Sequence, residues 1–169
     1  MTGSFRIAVM CLAAAVLAAP PSASAHPVTQ SAAAKAIPLT GAAADAARVV
    51  DAFHAALKAG ETGKAASLMA PGVLVFEAGG AEASKAAYST QHLAADAAFE
   101  KTAVEVTLRR TGAAAGDSAW IATEGRVQAR TGEKVTDRLT TETMILARTP
   151  DGWRIVHVHW SSRATPPPH

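Results

Sequence analysis

The sequence predicts an α+β domain, with helices gathered on one face of a curved antiparallel sheet. Three observations carry this. Gly41 to Ala59 repeats apolar residues at helical spacing, and Ala81 to Glu100 runs without Gly or Pro. From Thr102 to Arg163 the pattern changes to short runs rich in β-branched and aromatic residues, broken by turn residues.

The chain opens on a segment that reads as an address. Arg6 supplies a positive start, Ile7 to Ala19 is uncharged and apolar, and Ala23-Ser24-Ala25 is a small-residue cleavage site. The apolar run is shorter than the roughly 20 residues that span a bilayer. Residues 1–25 are therefore read as a cleavable signal peptide, which implies a periplasmic or secreted protein and no membrane attachment once it is removed. Cys11, the only cysteine, lies inside it. The mature chain then holds neither a disulfide nor a cysteine-based metal site, and its core alone must hold the fold.

Residues 26–41 are rich in Ala, Ser and Pro, without a sustained period, and read as a flexible linker. Residues 42–163 are one domain by size. The whole chain has 16 basic and 14 acidic side chains, interspersed, with no basic block of the kind that marks nucleic-acid or anionic-membrane binding.

In the first helix Ala46, Val49, Val50, Phe53 and Leu57 form the apolar face, and Gly60 supplies the stop. Thr62 to Met69 reads as a short second helix ended by Pro71-Gly72. Val73 to Glu77 is a short strand broken at Gly79-Gly80. The long helix from Ala81 to Glu100 sets Tyr88, His92, Asp96 and Phe99 on one face. Next comes a half-buried strand with Val104, Val106 and Leu108 inward, then a loop from Thr111 to Gly116 and a strand from Ser118 to Ala129. A turn at Thr131-Gly132-Glu133 leads into Val135 to Arg148. The last hairpin turns at Thr149-Pro150-Asp151-Gly152, where Pro presets φ, Asp bonds its own backbone and Gly supplies positive φ. Its second strand alternates Trp153, Ile155, His157 and His159 on one face with Arg154, Val156, Val158 and Trp160 on the other. Residues 164–169, with three consecutive prolines, read as a disordered tail.

Glu142-Thr143, Asp151-Gly152-Trp153 and Ile155-Val156-His157-Val158-His159 resemble the last hairpin of the association (hub) domain of calcium/calmodulin-dependent kinases. More broadly they resemble the SnoaL-like branch of the nuclear transport factor 2-like superfamily. The resemblance extends in element order over roughly Ala42 to Arg163. It implies a cone, with a pocket between sheet and helices, and self-association through the sheet. It leaves function open, since that superfamily holds isomerases, cyclases, hydrolases, dehydratases, scaffolds and binding domains. In the hub, the positions of Trp160, Met144 and approximately Gly125 are pocket arginines. This chain has none of the three, so the resemblance implies a more apolar pocket, with Arg126 and Arg163 the nearest substitutes.

His157 and His159 share a strand face, as two metal ligands would. A metal needs at least a third ligand, and the hub carries the same His-x-His without one. They are expected on the convex, subunit-contacting face, and neither a metal nor a cofactor is expected. His92 and Asp96 stand at i, i+4, which is only two ligands. Tyr88, His92, Trp120, Thr140, Met144, Val158 and Trp160 are the expected ligand-binding set. Glu77 and Glu142 beside His92 are the candidate general acid/base groups, because desolvation raises a carboxylate toward neutral pH. The first reading is an exported homo-oligomer, a dimer or larger, that binds a small, largely apolar molecule. The alternative is a cofactor-free isomerase, dehydratase or hydrolase using a pocket carboxylate.

Overall fold

A computed structural model describes residues 38–131 and 134–166. The expected signal segment, most of the expected linker, the turn at Gly132-Glu133 and the last three residues lie outside the described residues. Leu39 packs against the core just before the first helix.

Helix α1 is Gly41–Ala59. It ends because Gly60 takes φ 74°, a left-handed C-cap whose N–H reaches the carbonyls of Ala56 and Leu57. Helix α2 is Thr62–Ser67. Strand β1, Met69–Glu77, begins before Pro71-Gly72 rather than after it. Its register on the neighbouring strand slips between Met69 and Leu74, where Pro71 has no N–H to offer the ladder.

The expected helix from Ala81 to Glu100 is three elements. Strand β2 (Gly80–Glu82) hairpins back onto β1, and helices α3 (Lys85–Gln91) and α4 (Leu93–Thr102) come after it. Two local causes break it. Ser84 takes an extended N-cap conformation and its Oγ accepts from the Ala87 N–H at 3.1 Å. His92, at the α3–α4 junction, is held by its ring Nδ1 on Glu82, outside the helix line.

Strands β3 (Val104–Ala115), β4 (Ser118–Thr131), β5 (Lys134–Thr149) and β6 (Gly152–Ala164) form a meander. The expected loop at 111–116 is mostly strand, and the turn falls at Gly116, with φ 56°. Ala164 still belongs to β6, and the Thr165 N–H bonds the Asp137 carbonyl at 3.2 Å, so the expected tail starts later than Ala164. The sheet order is β2-β1-β6-β5-β4-β3. All neighbours are antiparallel except β1 and β6, which are parallel, so the sheet is mixed. It is curved and unclosed, an α+β cone with α1 across its concave face.

Between sheet and helices lies one core of Val50, Phe53, Leu57, Val73, Val75, Ile121, Met144, Leu146, Ile155 and Val158, each at most 1% exposed. Burying a side chain of this kind stabilises by roughly 1.5–3 kcal/mol, so this layer holds the cone without a disulfide.

The expected parity fails for Trp153 and Ile155 on β6 and along β3, while Val158, Trp160, His157 and His159 keep the faces expected of them. On β6 the register passes from Ile155 opposite Leu146 to His157 opposite Ile145, which leaves Val156 as an extra, bulged residue. Trp153 and Ile155 therefore face the core with Val158, while His157 and His159 turn to the outer face. On β3, Val104, Val106 and Leu108 are 53–62% exposed instead of inward. Their outward direction places Glu105 and Thr107 on the concave side, where both line the cavity.

The outer face is apolar and uncovered among the described residues. A cross-strand row runs Trp120, Ile145, His157, Leu74 across β4, β5, β6 and β1. Trp120 is 42% exposed, Ile145 37% and Leu74 40%. Phe76 lies edge-on to His157, with centroids 5.1 Å apart, and reaches His159 at 6.4 Å.

Candidate functional site

A cavity of about 650 Å³ opens between α1, α4 and the concave sheet. Its buried end is built by one contact between helix and sheet. His54 stands next to Phe53 on the core-facing side of α1, and Glu142 points inward from β5 with only 9% exposure. His54 Nε2 donates to Glu142 Oε2 at 2.7 Å, and Trp160 Nε1 donates to the same oxygen at 2.8 Å. Trp160 is itself fixed by stacking on Phe53, centroids 6.3 Å apart. A buried carboxylate with two donors and a partly buried imidazole is a fixed electrostatic unit.

Burial opposes a charge on His54, but the hydrogen bond and charge of Glu142, with Glu100 and Glu105 adding, win and raise its pKa above the ordinary value. Burial likewise opposes a charge on Glu142, but His54, Trp160 and Arg110 outweigh it and hold the carboxyl below its ordinary range. Both shifts favour an imidazolium facing a carboxylate. His54 Nδ1 is buried and has no hydrogen-bond partner among the described residues.

Acids dominate the rim. Burial, then Asp96, raise Glu77 despite the opposing charge of His92. Burial raises Asp96 too, although Tyr88 donates its hydroxyl to Asp96 Oδ2 at 2.6 Å and works against the rise. Burial and the like charge of Glu105 push Glu100 up to about 7. Of the arginines on the cavity wall, Arg110 pairs with Asp51 and Arg126 with Asp137, while Arg138 bonds Ser162. The cavity is therefore more polar than the resemblance to the hub implied. Arg126 reaches only the rim and is committed to Asp137, and Arg163 lies exposed near the end of β6.

Of the expected site residues, Glu77, Glu142, Thr140 and Trp160 line the cavity. Met144 and Val158 face the same side but are fully buried beneath it, as core. Tyr88 is buried behind the rim and acts on the cavity through Asp96. Two placements are corrected. Trp120 lies on the outer face, because it follows Ala119 and precedes Ile121, both buried. His92, with 54% of its side chain exposed, is bound to the nearly buried Glu82 instead of pointing into the cavity. His54, Glu100 and Glu105 also belong to the cavity wall, and sequence patterning does not single them out. The available signal for His54 is its place four residues after Val50 and three before Leu57, inside an apolar stripe where a polar ring needs a partner.

Replacing Tyr88 by Phe removes the hydroxyl that holds the Asp96 proton off. The expected result is a further rise of the Asp96 pKa and a stability loss of about 1 kcal/mol. Carboxyl-carbon NMR titration of both proteins reads the first, and a lowered Asp96 value would contradict the assigned hydrogen bond.

Known proteins share this outline. The SnoaL-like domain profile matches residues 47–165. A search of the curated proteins found no match. Among solved structures, a protein from Shewanella frigidimarina, described as a candidate ketosteroid isomerase, is 32% identical. That match covers 72% of this chain and 98% of the other, with a TM-score of 0.65. A candidate dehydratase of the nuclear transport factor 2-like family from Streptomyces avermitilis is 19% identical, covering 73% and 96%, with a TM-score of 0.62. The hub of calcium/calmodulin-dependent kinase II from S. rosetta is 19% identical, covering 75% and 100%, with a TM-score of 0.60. The last two share the fold. With residues 47–165 matched and the first structure spanned almost entirely, the chain belongs to the SnoaL-like domain family, and it shares its fold with nuclear transport factor 2-like proteins.

Proposed function

We propose that the cavity binds a small organic molecule and performs cofactor-free proton transfer on it, in the manner of an isomerase or dehydratase. The observation that carries this reading is the His54–Glu142 ion pair at the buried end of a cavity whose rim carboxylates are raised. His54 is pushed up from 6.5 and Glu77 up from 4.5, so acid and base approach working pH from opposite starting charges. Glu77 takes a proton from carbon. The His54 imidazolium donates to the oxygen on which charge develops, and Glu142 keeps its ring oriented. In a dehydration the C–H and C–O bonds break. The hydroxyl then leaves as water with the His54 proton, and Glu77 holds the proton from carbon until solvent takes it. In an isomerisation Glu77 returns its proton to a second carbon. The kinship with a candidate ketosteroid isomerase supports the same class.

Binding without chemistry is the second reading. It is favoured by Tyr88 and His92, two groups suited to polarise a carbonyl, being engaged by Asp96 and Glu82 instead. A panel of enolisable ketones and β-hydroxy acyl compounds separates the readings. The acid–base reading expects turnover that falls at least a hundredfold in both Glu77→Gln and His54→Gln, each still folded. Turnover untouched by either substitution removes this assignment. A retained small molecule with no turnover leaves the binding reading.

Export, with the mature chain starting at His26, and self-association through the outer face belong to the same reading. The apolar row through Trp120, Ile145 and Leu74 is the observation behind self-association. Charging the face beside this row with Phe76→Glu is expected to reduce the mass in light scattering to that of one chain, and His157→Ala with His159→Ala to weaken the assembly. An unchanged mass in Phe76→Glu would exclude this face.

A further inference from the structure

We infer that His54, Glu100 and Glu105 form a binding site for one divalent transition-metal cation at the wall of the cavity. One ligand atom from each lies within 4.8 Å of the others. The three come from α1, from the last turns of α4 and from the start of β3, so three separate elements converge.

The imidazole is already arranged as a metal ligand. Nε2 is committed to Glu142, and Nδ1 is left buried without a partner among the described residues. A ligating histidine typically donates its other ring N–H to a carboxylate, which fixes tautomer and ring plane. Glu142 fills that outer role, held in turn by Trp160. The two carboxylates complete a nitrogen-and-oxygen set that suits zinc or manganese. Neither Glu100 nor Glu105 belongs to an ion pair among the described residues. Lys58 acts on Glu100 after His54, and its Nζ reaches the Ala103 carbonyl, at 3.4 Å. Two adjacent carboxylates outside any ion pair among the described residues, beside a ring nitrogen without a hydrogen-bond partner there, leave room for a dication.

Binding draws the three ligand atoms inward to metal distances of about 2.0–2.2 Å. The remaining coordination positions face the cavity, so water or an oxygen of the bound molecule completes the shell. The cation site therefore shares the cavity with the proposed chemistry but does not depend on turnover.

The test uses the mature protein stripped with a chelator, then titrated calorimetrically with zinc or manganese alone. The expected result is one equivalent bound. Affinity is expected to fall at least tenfold in Glu100→Gln and in Glu105→Gln. Cobalt loading is expected to give a visible d–d spectrum that both variants lose. His92→Ala and the double variant His157→Ala/His159→Ala are expected to bind as the parent does. Absence of binding overturns the inference. So does binding that survives Glu100→Gln and Glu105→Gln, or that disappears with the outer-face histidines. Turnover measured with chelator present is a separate reading: activity that persists there supports metal-free proton transfer and leaves the calorimetric result standing.

Discussion

Replacing Glu142 by Ala is expected to destabilise the fold by about 3–5 kcal/mol, a large share of the 5–15 kcal/mol that holds a typical domain together. Two donors converge on one oxygen of this carboxylate, and both lose their partner together. Trp160 Nε1 is left in a poorly hydrated site, and His54 loses the charge that keeps it protonated. Glu142→Gln keeps an acceptor and the shape but not the charge. It is expected to cost less, and its own cost relative to the parent measures the charge of the pair. Urea denaturation at fixed pH gives both values.

The pH dependence has two limbs. The Glu142 carboxyl is held below its ordinary 4.5, so its contribution is present above that value and is lost as pH falls through the lowered one. His54 is raised above 6.5, so its contribution is full below 6.5 and is lost as pH rises through the raised value. The pair stabilises most between roughly pH 4.5 and 6.5, declining on either side. Glu142→Ala should flatten that bell. A parent and a variant whose stabilities run parallel across this range would show that the two groups do not pair.

Much of this fold is written locally, and local signals are what a sequence displays. The last hairpin is one case: it turns where its residues announce, with Gly152 at φ 100°, although the side-chain bonds are those of Thr149, whose Oγ1 accepts from the Asp151 N–H at 3.3 Å and donates to the Gly152 carbonyl at 2.8 Å. Helix α1 is another, from its apolar stripe to its glycine cap. Direction is harder to read than period. Val104, Val106 and Leu108 alternate as a strand should, yet alternation does not say which side is covered, and here the apolar side faces out. The bulge at Val156 is invisible for a related reason. With Val, His and Ile on either side of it, the run looks continuous, and one extra residue exchanges every face beyond it.

The site divides along the same line. Glu142 and Trp160 were legible because parity on β5 and β6 puts them inward. His54 was not, because its meaning depends on Glu142, 88 residues away. Glu100 and Glu105 straddle the junction of α4 and β3, where neither helical nor strand period relates one to the other. Nothing short of the fold says that they meet.

That meeting has a cost, and Glu100→Gln is expected to remove it. Burial and Glu105 push the Glu100 carboxyl from 4.5 up to about 7, against the opposing charges of His54 and Lys58. A carboxyl raised on folding binds its proton more tightly in the folded state. Stability is then unaffected below about pH 4.5, falls as pH rises through the interval, and is lowest above pH 7. A neutral glutamine of the same size carries no such penalty. At pH 8 it is expected to stabilise the protein by about 1–2 kcal/mol, after allowance for solvent screening of a partly exposed group. That corresponds to a melting temperature higher by roughly 4–8 °C. At pH 4 the two proteins should melt together. The same substitution should weaken cation binding, so stability gained and function lost would come from one side chain, as they do where a site is held in strained electrostatics. Scanning calorimetry at pH 4, 6 and 8 decides the matter. A variant less stable than the parent at pH 8 would mean that Glu100 is already neutralised by a partner, and the repulsion with Glu105 would have to be abandoned.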